Sequence, residues 1–232
     1  MTVLLATNNT HKIREIQQIA PGITFRTPAD LGITFSHEET GSSFTENALG
    51  KAAALHQALS ALPAAVQNRI TAVLADDSGI CVDALDGRPG IHSARYGAED
   101  PHNPPASDAE RTARLLRELG DRRDRSARYI CAVAVLRQTG QQICVTDTLE
   151  GRIATAPSSG TGGFGYDPVF FLPQFGCTAA DISDEQKHAV SHRGKAVRQA
   201  LAALQAAEET APPRQSGSAP TAGTSTATPA TD

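Results

Sequence analysis

The sequence predicts an α/β fold built on a mixed β-sheet, and three observations carry that expectation. The chain opens as strand, polar loop and helix. A second short apolar strand follows a long Ala/Leu-rich helix. Further on, two β-rich runs flank a polar turn, as the arms of an antiparallel hairpin do. Strand-and-helix units beside a hairpin give a sheet of mixed direction.

Thr2 to Ala6 is a short apolar run, the pattern of a buried strand. Thr7-Asn8-Asn9-Thr10 supplies turn and N-cap residues. Ile13, Ile16 and Ile19 then recur at helical spacing, and Pro21-Gly22 stops the helix. Ser43-Phe44-Thr45-Glu46 has the capping-box form and opens a helix to about Leu62. Thr71 to Ala75 reads as a strand ending in Asp76-Asp77-Ser78-Gly79, with Ile80 to Val82 as a second short strand. Gly87 to Arg95 is a Gly/Pro loop. A second capping box, Ser107-Asp108-Ala109-Glu110, opens a helix to Leu119. The hairpin arms are Tyr129 to Leu136 and Gln142 to Thr148. Ser158 to Pro168 is a Gly-rich loop and Val169 to Leu172 a strand. Ser183 to about Ala207 is helical, with a break expected near Gly194.

Composition narrows the function. The 232 residues suffice to bury a core in one large domain or two modest lobes. A net charge of -4 gives no overall field for nucleic acid or an anionic membrane. Aromatic residues are 4% and Trp is absent, which argues against a stacking platform for single-stranded nucleic acid. No apolar run is long enough to span a bilayer, and the N-terminus lacks a basic n-region. Cys81, Cys131, Cys144 and Cys177 lie far apart without a C-x-x-C, so reduced thiols of a cytoplasmic protein are expected. A polyanionic ligand would need a local cluster of donors.

Five segments offer such chemistry, each with a plainer reading beside it. Thr7-Asn8-Asn9-Thr10-His11-Lys12 enters a helix, whose free N–H groups and dipole suit phosphate; an Asn/Thr cap with a surface lysine is the plainer reading. It is not a Walker A loop, since the glycines are missing. Asp76-Asp77-Ser78-Gly79 puts two carboxylates on opposite faces of a strand end. One can face a cleft as a metal ligand or general base; otherwise it is an Asp-Ser-Gly turn. Glu38-Glu39-Thr40-Gly41 offers further hard oxygens, or solvated loop charges, and Lys51 a cation on the following helix or a surface charge.

Gly160-Thr161-Gly162-Gly163-Phe164-Gly165-Tyr166-Asp167-Pro168 matches G-x-G-x-x-G formally, but a strand follows rather than a helix, so a dinucleotide site is not expected. A loop placing Phe164 against a base fits better; an ordinary Gly-rich turn is the alternative. Lys187 and Ser191-His192-Arg193 offer donors to a phosphate or a base carbonyl, or a solvated basic helix face. His188 and His192 have zinc-like spacing, but Ala189 stands where a zinc helix carries Glu.

The ordered series T-N-N-x-x-K, E-E-T-G-x-x-F-x-E-N-A, A-D-D-S-G, P-G-I-H-S-A-R-Y, G-T-G-G-F-G-Y-D-P and K-x-x-x-S-H-R-G-K-A is more specific than any single segment. It resembles the inosine triphosphate pyrophosphatase family, from about Val3 to about Leu204. The resemblance implies a two-lobed α/β fold, a central twisted mixed β-sheet flanked by helices, an active-site cleft between the lobes, and a homodimer. It implies Mg²⁺-dependent cleavage of ITP, dITP or XTP to the monophosphate and pyrophosphate. Asp77 would be the catalytic carboxylate and a Mg²⁺ ligand, and Glu38 a second metal-side carboxylate. Ser78 would contact substrate, and Thr7, Asn8, Asn9, Thr10, His11 and Lys12 would bind the phosphate tail with Lys51. Phe164, Gly165, Tyr166 and Asp167 would form the base-side loop, completed by Lys187, His192 and Arg193. The catalytic domain would span 1–207, with a disordered Pro/Ser/Thr/Ala-rich tail over 208–232.

The chain departs from the family in reading Thr7-Asn8-Asn9 where many relatives have T-G-N; Asn tolerates positive φ better than most residues. Pro63 to Asn68 looks longer than the usual connection. Donors from His192 or Arg193 would meet the 6-oxygen of hypoxanthine or xanthine, while adenine's amino group would leave them unpaired. Guanine shares that oxygen, and its exclusion must come from position 2, by a residue the motifs do not reveal. Other readings are a pyrophosphatase of the Maf type, which the G-G-F-G-Y-D-P and S-H-R-G pair disfavours, and a non-catalytic nucleotide sensor, which would not need Asp77 together with Glu38. An oxidoreductase would rest on the G-x-G-x-x-G match alone.

Overall fold

Strand β1 (Thr2–Leu5) is buried along Val3, Leu4 and Leu5, as its unbroken apolar run requires. Helix α1 (Thr10–Ile19) returns over the sheet and buries Ile16 and Ile19. Strand β2 (Thr24–Arg26) then pairs parallel to β1. The computed structural model describes residues 1–98 and 107–210, and within them one seven-stranded sheet runs in the order β2-β1-β3-β4-β5-β6-β7. Its other strands are β3 (Ala72–Val82), β4 (Ser126–Arg137), β5 (Gln142–Ile153), β6 (Phe170–Leu172) and β7 (Cys177–Thr178). β1 pairs parallel with β2 and β3, and every pair from β3 to β7 is antiparallel. The sheet is therefore mixed, as expected.

Helices cover both faces. α1 and α6 (His192–Glu209) pack Ile16, Val197, Ala200 and Leu204 on Val3, Leu5, Leu74 and Val133. On the other face α2 (Phe44–Ser60) packs Ala48, Ala52, Leu55 and Leu59 on Leu4, Val73 and Ala132. A third cluster forms the second lobe: Ile80 and Val82 from the far half of β3 meet α4 (Asp108–Leu119), β6 and Tyr166. β3 and β4 run through both lobes and join them.

Several elements differ from expectation. β3 is one strand of eleven residues, so Asp76 and Asp77 lie in its middle and not at a strand end. β4 holds it in register through Asp76↔Val133 and Asp77↔Ala132, and basic side chains neutralise the carboxylates that would otherwise break it. The hairpin arms are longer than the apolar runs suggest. β2 and β7 are short and partly exposed, without a legible period. Pro63 to Asn68 holds a four-residue helix, α3 (Ala64–Gln67). The break after α5 (Asp184–Val190) falls at Ser191, whose hydroxyl caps α6 by accepting from the Gly194 N–H at 2.9 Å. Gly194 itself is helical, and a side chain there is excluded because a Cβ would lie 2.2 Å from the His188 carbonyl oxygen. α6 ends at Glu209, so the first residues assigned to the tail are helical, and Glu208 pairs with Arg137. The remainder of that tail, 211–232, lies outside the described residues.

All four cysteines are free thiols, as expected. No helix among the described residues is long and apolar enough to cross a membrane.

The second lobe depends on Phe170, fully buried with its ring 4.5 Å from that of Tyr129 and filling the space left by Gly151. Phe170→Ala is expected to cost about 3–5 kcal/mol of unfolding free energy, read from the urea midpoint. A loss below about 1 kcal/mol would show that the lobe does not rely on this ring.

Candidate active site

The site forms where β3 outruns its parallel neighbour. β1 pairs with β3 only as far as Leu5↔Leu74, and the Ala6 N–H closes on the Leu74 carbonyl at 2.8 Å. Beyond it the Asp76 carbonyl has no strand partner on that edge. Lys51 Nζ takes it at 3.0 Å and Lys12 Nζ lies 3.5 Å away. A cleft outside the carboxyl end of β1 follows, the usual place for a ligand in such sheets. It encloses about 540 Å³, a volume suited to a small molecule.

Strand alternation sends the two carboxylates to opposite faces. Asp76 is fully buried on the α1/α6 side; its Oδ2 accepts from Lys12 Nζ at 2.9 Å and Arg193 Nε at 3.2 Å. Burial alone would raise its pKa, but Lys12, Arg193 and Lys51 together hold it well below the usual carboxylate range. Arg193 is pinned further by Glu15 of α1 and donates to Ser78 Oγ at 2.6 Å.

Asp77 faces α2. Its Oδ1 accepts from Lys51 Nζ at 3.1 Å and its Oδ2 from Asn47 Nδ2 at 3.0 Å. Asn47 Oδ1 in turn accepts from the Gly41 N–H at 2.9 Å, and a Cβ on Gly41 would strike that oxygen. The E-E-T-G segment is thereby tied to β3. Lys51 also donates to Glu39 Oε1 at 2.6 Å, and Arg95 holds the other oxygen at 3.3 Å. Burial raises the Asp77 pKa; Lys51 opposes this and Glu39 adds to it, leaving Asp77 above its ordinary value. Glu39, despite its burial, is held below the usual range by Lys51 and Arg95.

The other end of the cleft gathers aromatic rings and cations. Asp167 Oδ2 accepts from Lys187 Nζ at 2.7 Å and from the Phe164 N–H at 2.8 Å, and Tyr129 donates to its Oδ1 at 3.2 Å. Lys187 Nζ and the Arg193 guanidinium lie 5.0 and 5.7 Å from the Phe164 ring centroid. His192 stacks on Tyr129 at 4.7 Å, nearly parallel. Burial, Arg193 and Lys187 push its pKa well below the usual imidazole value, so His192 is neutral at pH 7. Its Nδ1 has no partner among the described residues.

The structure gathers most of the expected residues around this cleft: Thr7, Asn8, Asn9, His11, Lys12, Lys51, Asp77, Ser78, Phe164, Gly165, Tyr166, Asp167, Lys187, His192 and Arg193. Glu38 does not belong with them. It is exposed, and its neighbour Glu39 turns inward, because the extended backbone alternates and Lys51 captures the second acid. Thr10 is exposed and outside the cleft lining. The helix N-terminus is also less open than expected: Asn9 Oδ1 accepts from the N–H groups of His11 and Lys12 at 2.9 and 3.2 Å. The His11 ring stacks on Phe164 at 5.3 Å, toward the Gly-rich loop and not toward Asp77. Sequence reasoning missed Glu15, Asn47 and Tyr129. Asn47 lies inside the E-N-A motif, four residues before Lys51 on one helix face, which was the available signal.

A model of the Ham1 family matches residues 3–203. A dITP/XTP pyrophosphatase of Treponema denticola is 46% identical over 197 residues, covering 85% of this chain and 95% of the relative. One from Nitrosomonas europaea is 44% identical over 215 residues, covering 90% and 97%. The structure of the Staphylococcus aureus Ham1 protein superposes with a TM-score of 0.72 at 37% identity, covering 90% of this chain and 98% of that one.

Folding lowers the Asp76 pKa, so its ionised form stabilises the fold above the ordinary carboxylate range and ceases to do so as pH falls through the lowered value. Asp76→Asn keeps the shape and removes the charge. It is expected to cost about 3–5 kcal/mol at neutral pH, with the gap to wild type narrowing below about pH 4 as the wild-type carboxyl begins to lose its advantage. Urea unfolding at both pH values checks this; a gap that widens in acid would contradict it.

Proposed function

The chain belongs to the Ham1 family, and on that premise we propose that it hydrolyses dITP, ITP and XTP to the nucleoside monophosphate and pyrophosphate. The observation that carries this reading is the polarity of the cleft. One end gathers Asp77, Glu39, Lys51 and Lys12, and the other a phenyl ring beside Lys187, Arg193 and His192. A triphosphate suits the first and a purine the second.

A divalent cation, taken here as Mg²⁺, fits the first end. The ammonium of Lys51 already bridges carboxylates from two separate segments, Glu39 at 2.6 Å and Asp77 at 3.1 Å, so this is a place that attracts positive charge between hard oxygens. Mg²⁺ is commonly held by one or two carboxylates plus phosphate oxygens and water. Asp77 and Glu39 would hold it, and it would offset negative charge on the phosphate.

Asp77 accepts the proton of a water that attacks the α-phosphorus. Its raised pKa and its fixed bonds to Asn47 and Lys51 suit a general base. The new bond joins the water oxygen to the α-phosphorus; the bond to the bridging oxygen breaks, and pyrophosphate leaves with the electron pair. Lys12 and Lys51 stabilise the leaving group. At the base end, the neutral imidazole of His192 and the guanidinium of Arg193 donate to the 6-oxygen, while Phe164 takes the ring face. Adenine carries an amino group there and leaves these donors unpaired. The same proposal includes a homodimer, measurable by light scattering.

With Mg²⁺, kcat/KM for ITP and XTP is expected to exceed that for ATP by roughly a hundredfold or more, measured as pyrophosphate release. Equal values would sink the specificity reading. Asp77→Asn should lower kcat by about 10²–10⁴, and near wild-type turnover would remove Asp77 from the chemistry. Glu39→Gln should raise the Mg²⁺ concentration needed for half-maximal rate, whereas Glu38→Gln should not.

A further inference from the structure

Helix α4 starts with a complete capping box. Ser107 Oγ accepts from the Glu110 N–H at 3.2 Å, and Glu110 Oε2 accepts from the Ser107 N–H at 2.7 Å. The box fixes Asp108 at the first helical position. Asp108 Oδ2 then accepts from the Gly165 N–H at 2.6 Å, and its Oδ1 pairs with Arg111 Nη2 one turn along. Gly165 reaches this position with φ of +65°, which a larger residue adopts only with strain. The tip of the base-side loop is thus tied to α4, while its two ends, Phe164 and Asp167, are tied to Lys187. The loop lies between two sets of cationic donors, Lys187 with Arg193 and, separately, Arg111. Asp108 and Arg111 both line the cleft, and the Arg111 side chain is only 14% exposed.

We propose that Arg111 reads the substituent at position 2 of the purine, with Asp108 as the residue that positions it. The inference rests on the proposed nucleotide pyrophosphatase reading and deepens it. In the proposed pose the 6-oxygen meets Arg193 and His192, and the 2-position is assigned to Arg111, which lines the same cleft. A guanidinium has donors and no acceptor. Xanthine presents a carbonyl oxygen at position 2 and gains a charge-assisted hydrogen bond. Hypoxanthine presents a C–H and gains nothing. Guanine presents an amino group, which sets donor against donor and leaves that amino group without an acceptor in a partly buried site. One side chain thereby disfavours guanine, which shares the 6-oxygen, and adds a preference for XTP.

The test compares kcat/KM for XTP, ITP and GTP in wild type, Arg111→Ala and Arg111→Lys, with Ki for the products XMP and IMP as a readout independent of turnover. In Arg111→Ala the XTP/ITP ratio is expected to fall about tenfold or more, and the IMP/XMP ratio of Ki to fall in parallel. GTP should gain on ITP. Arg111→Lys keeps a donor and should retain part of the XTP preference. A role confined to holding the loop would lower XTP and ITP together. An XTP/ITP ratio within about twofold of wild type in both variants, where a lost charge-assisted bond predicts tenfold, would overturn the inference. Failure of wild type to release pyrophosphate from either nucleotide would instead overturn the function proposed above, and this inference with it.

Discussion

Two adjacent carboxylates in the middle of a buried strand govern the architecture around them. Ionised Asp76 cannot stay in a sheet interior without compensation, and three elements provide it. Lys12 comes from α1, Arg193 from α6, and Lys51 from α2. The helices that pack against the sheet are thus also the ones that deliver charge to one strand. Glu15 completes the set by pinning Arg193. Loss of a member leaves the buried charges that remain unbalanced, a far larger penalty than an exposed ion pair contributes.

The same constraint divides labour between neighbours. Because successive strand residues face opposite sides, Asp76 is committed to its cations and kept ionised, while Asp77 faces the cleft with its pKa raised. One carboxylate fixes the frame, and the other faces the cleft, where the proposed reaction would use it as the base. β1 ends before this point, which leaves the Asp76 carbonyl to the two lysines. Strand length is therefore part of the site.

Much of this was legible in the sequence, for identifiable reasons. The apolar run of β1, the isoleucines of α1 and the capping box at Ser107 are local signals, and local physics decides those elements. The opposite orientation of Asp76 and Asp77 follows from alternation alone. The continuity of β3 was not legible, because aspartates in a strand read as a terminus until their cations, 25 to 117 residues away in sequence, are in place. The choice of Glu39 over Glu38 likewise depends on Lys51, since either phase of an extended loop looks the same from sequence. The short strands β2 and β7 are paired by neighbours and carry no pattern of their own. The self-capping by Asn9 was hidden for a different reason: its residue type suits a cap and a phosphate loop equally.

Charge balance constrains how this cleft can hold a polyanion. Around the cleft, Lys12, Lys51, Lys187, Arg95, Arg111 and Arg193 are met by Glu15, Glu39, Asp76, Asp77, Asp108 and Asp167 through direct ion pairs, six cations against six anions among the described residues. With Asn9 occupying two N–H groups of α1, little of the helix dipole end is left open to an anion. A triphosphate therefore meets no surplus of positive charge here, unlike a Walker loop with its cradle of N–H groups. Its own charge must be offset by something that arrives with it, and the paired carboxylates Asp77 and Glu39 are the groups that would receive such a cation. On this view the lysines do not capture the substrate by net charge. In the proposed reaction they would take up the charge that develops on the leaving pyrophosphate, from positions already fixed by Asp76, Asp77 and Glu39, so that little reorganisation would be needed when the bond breaks.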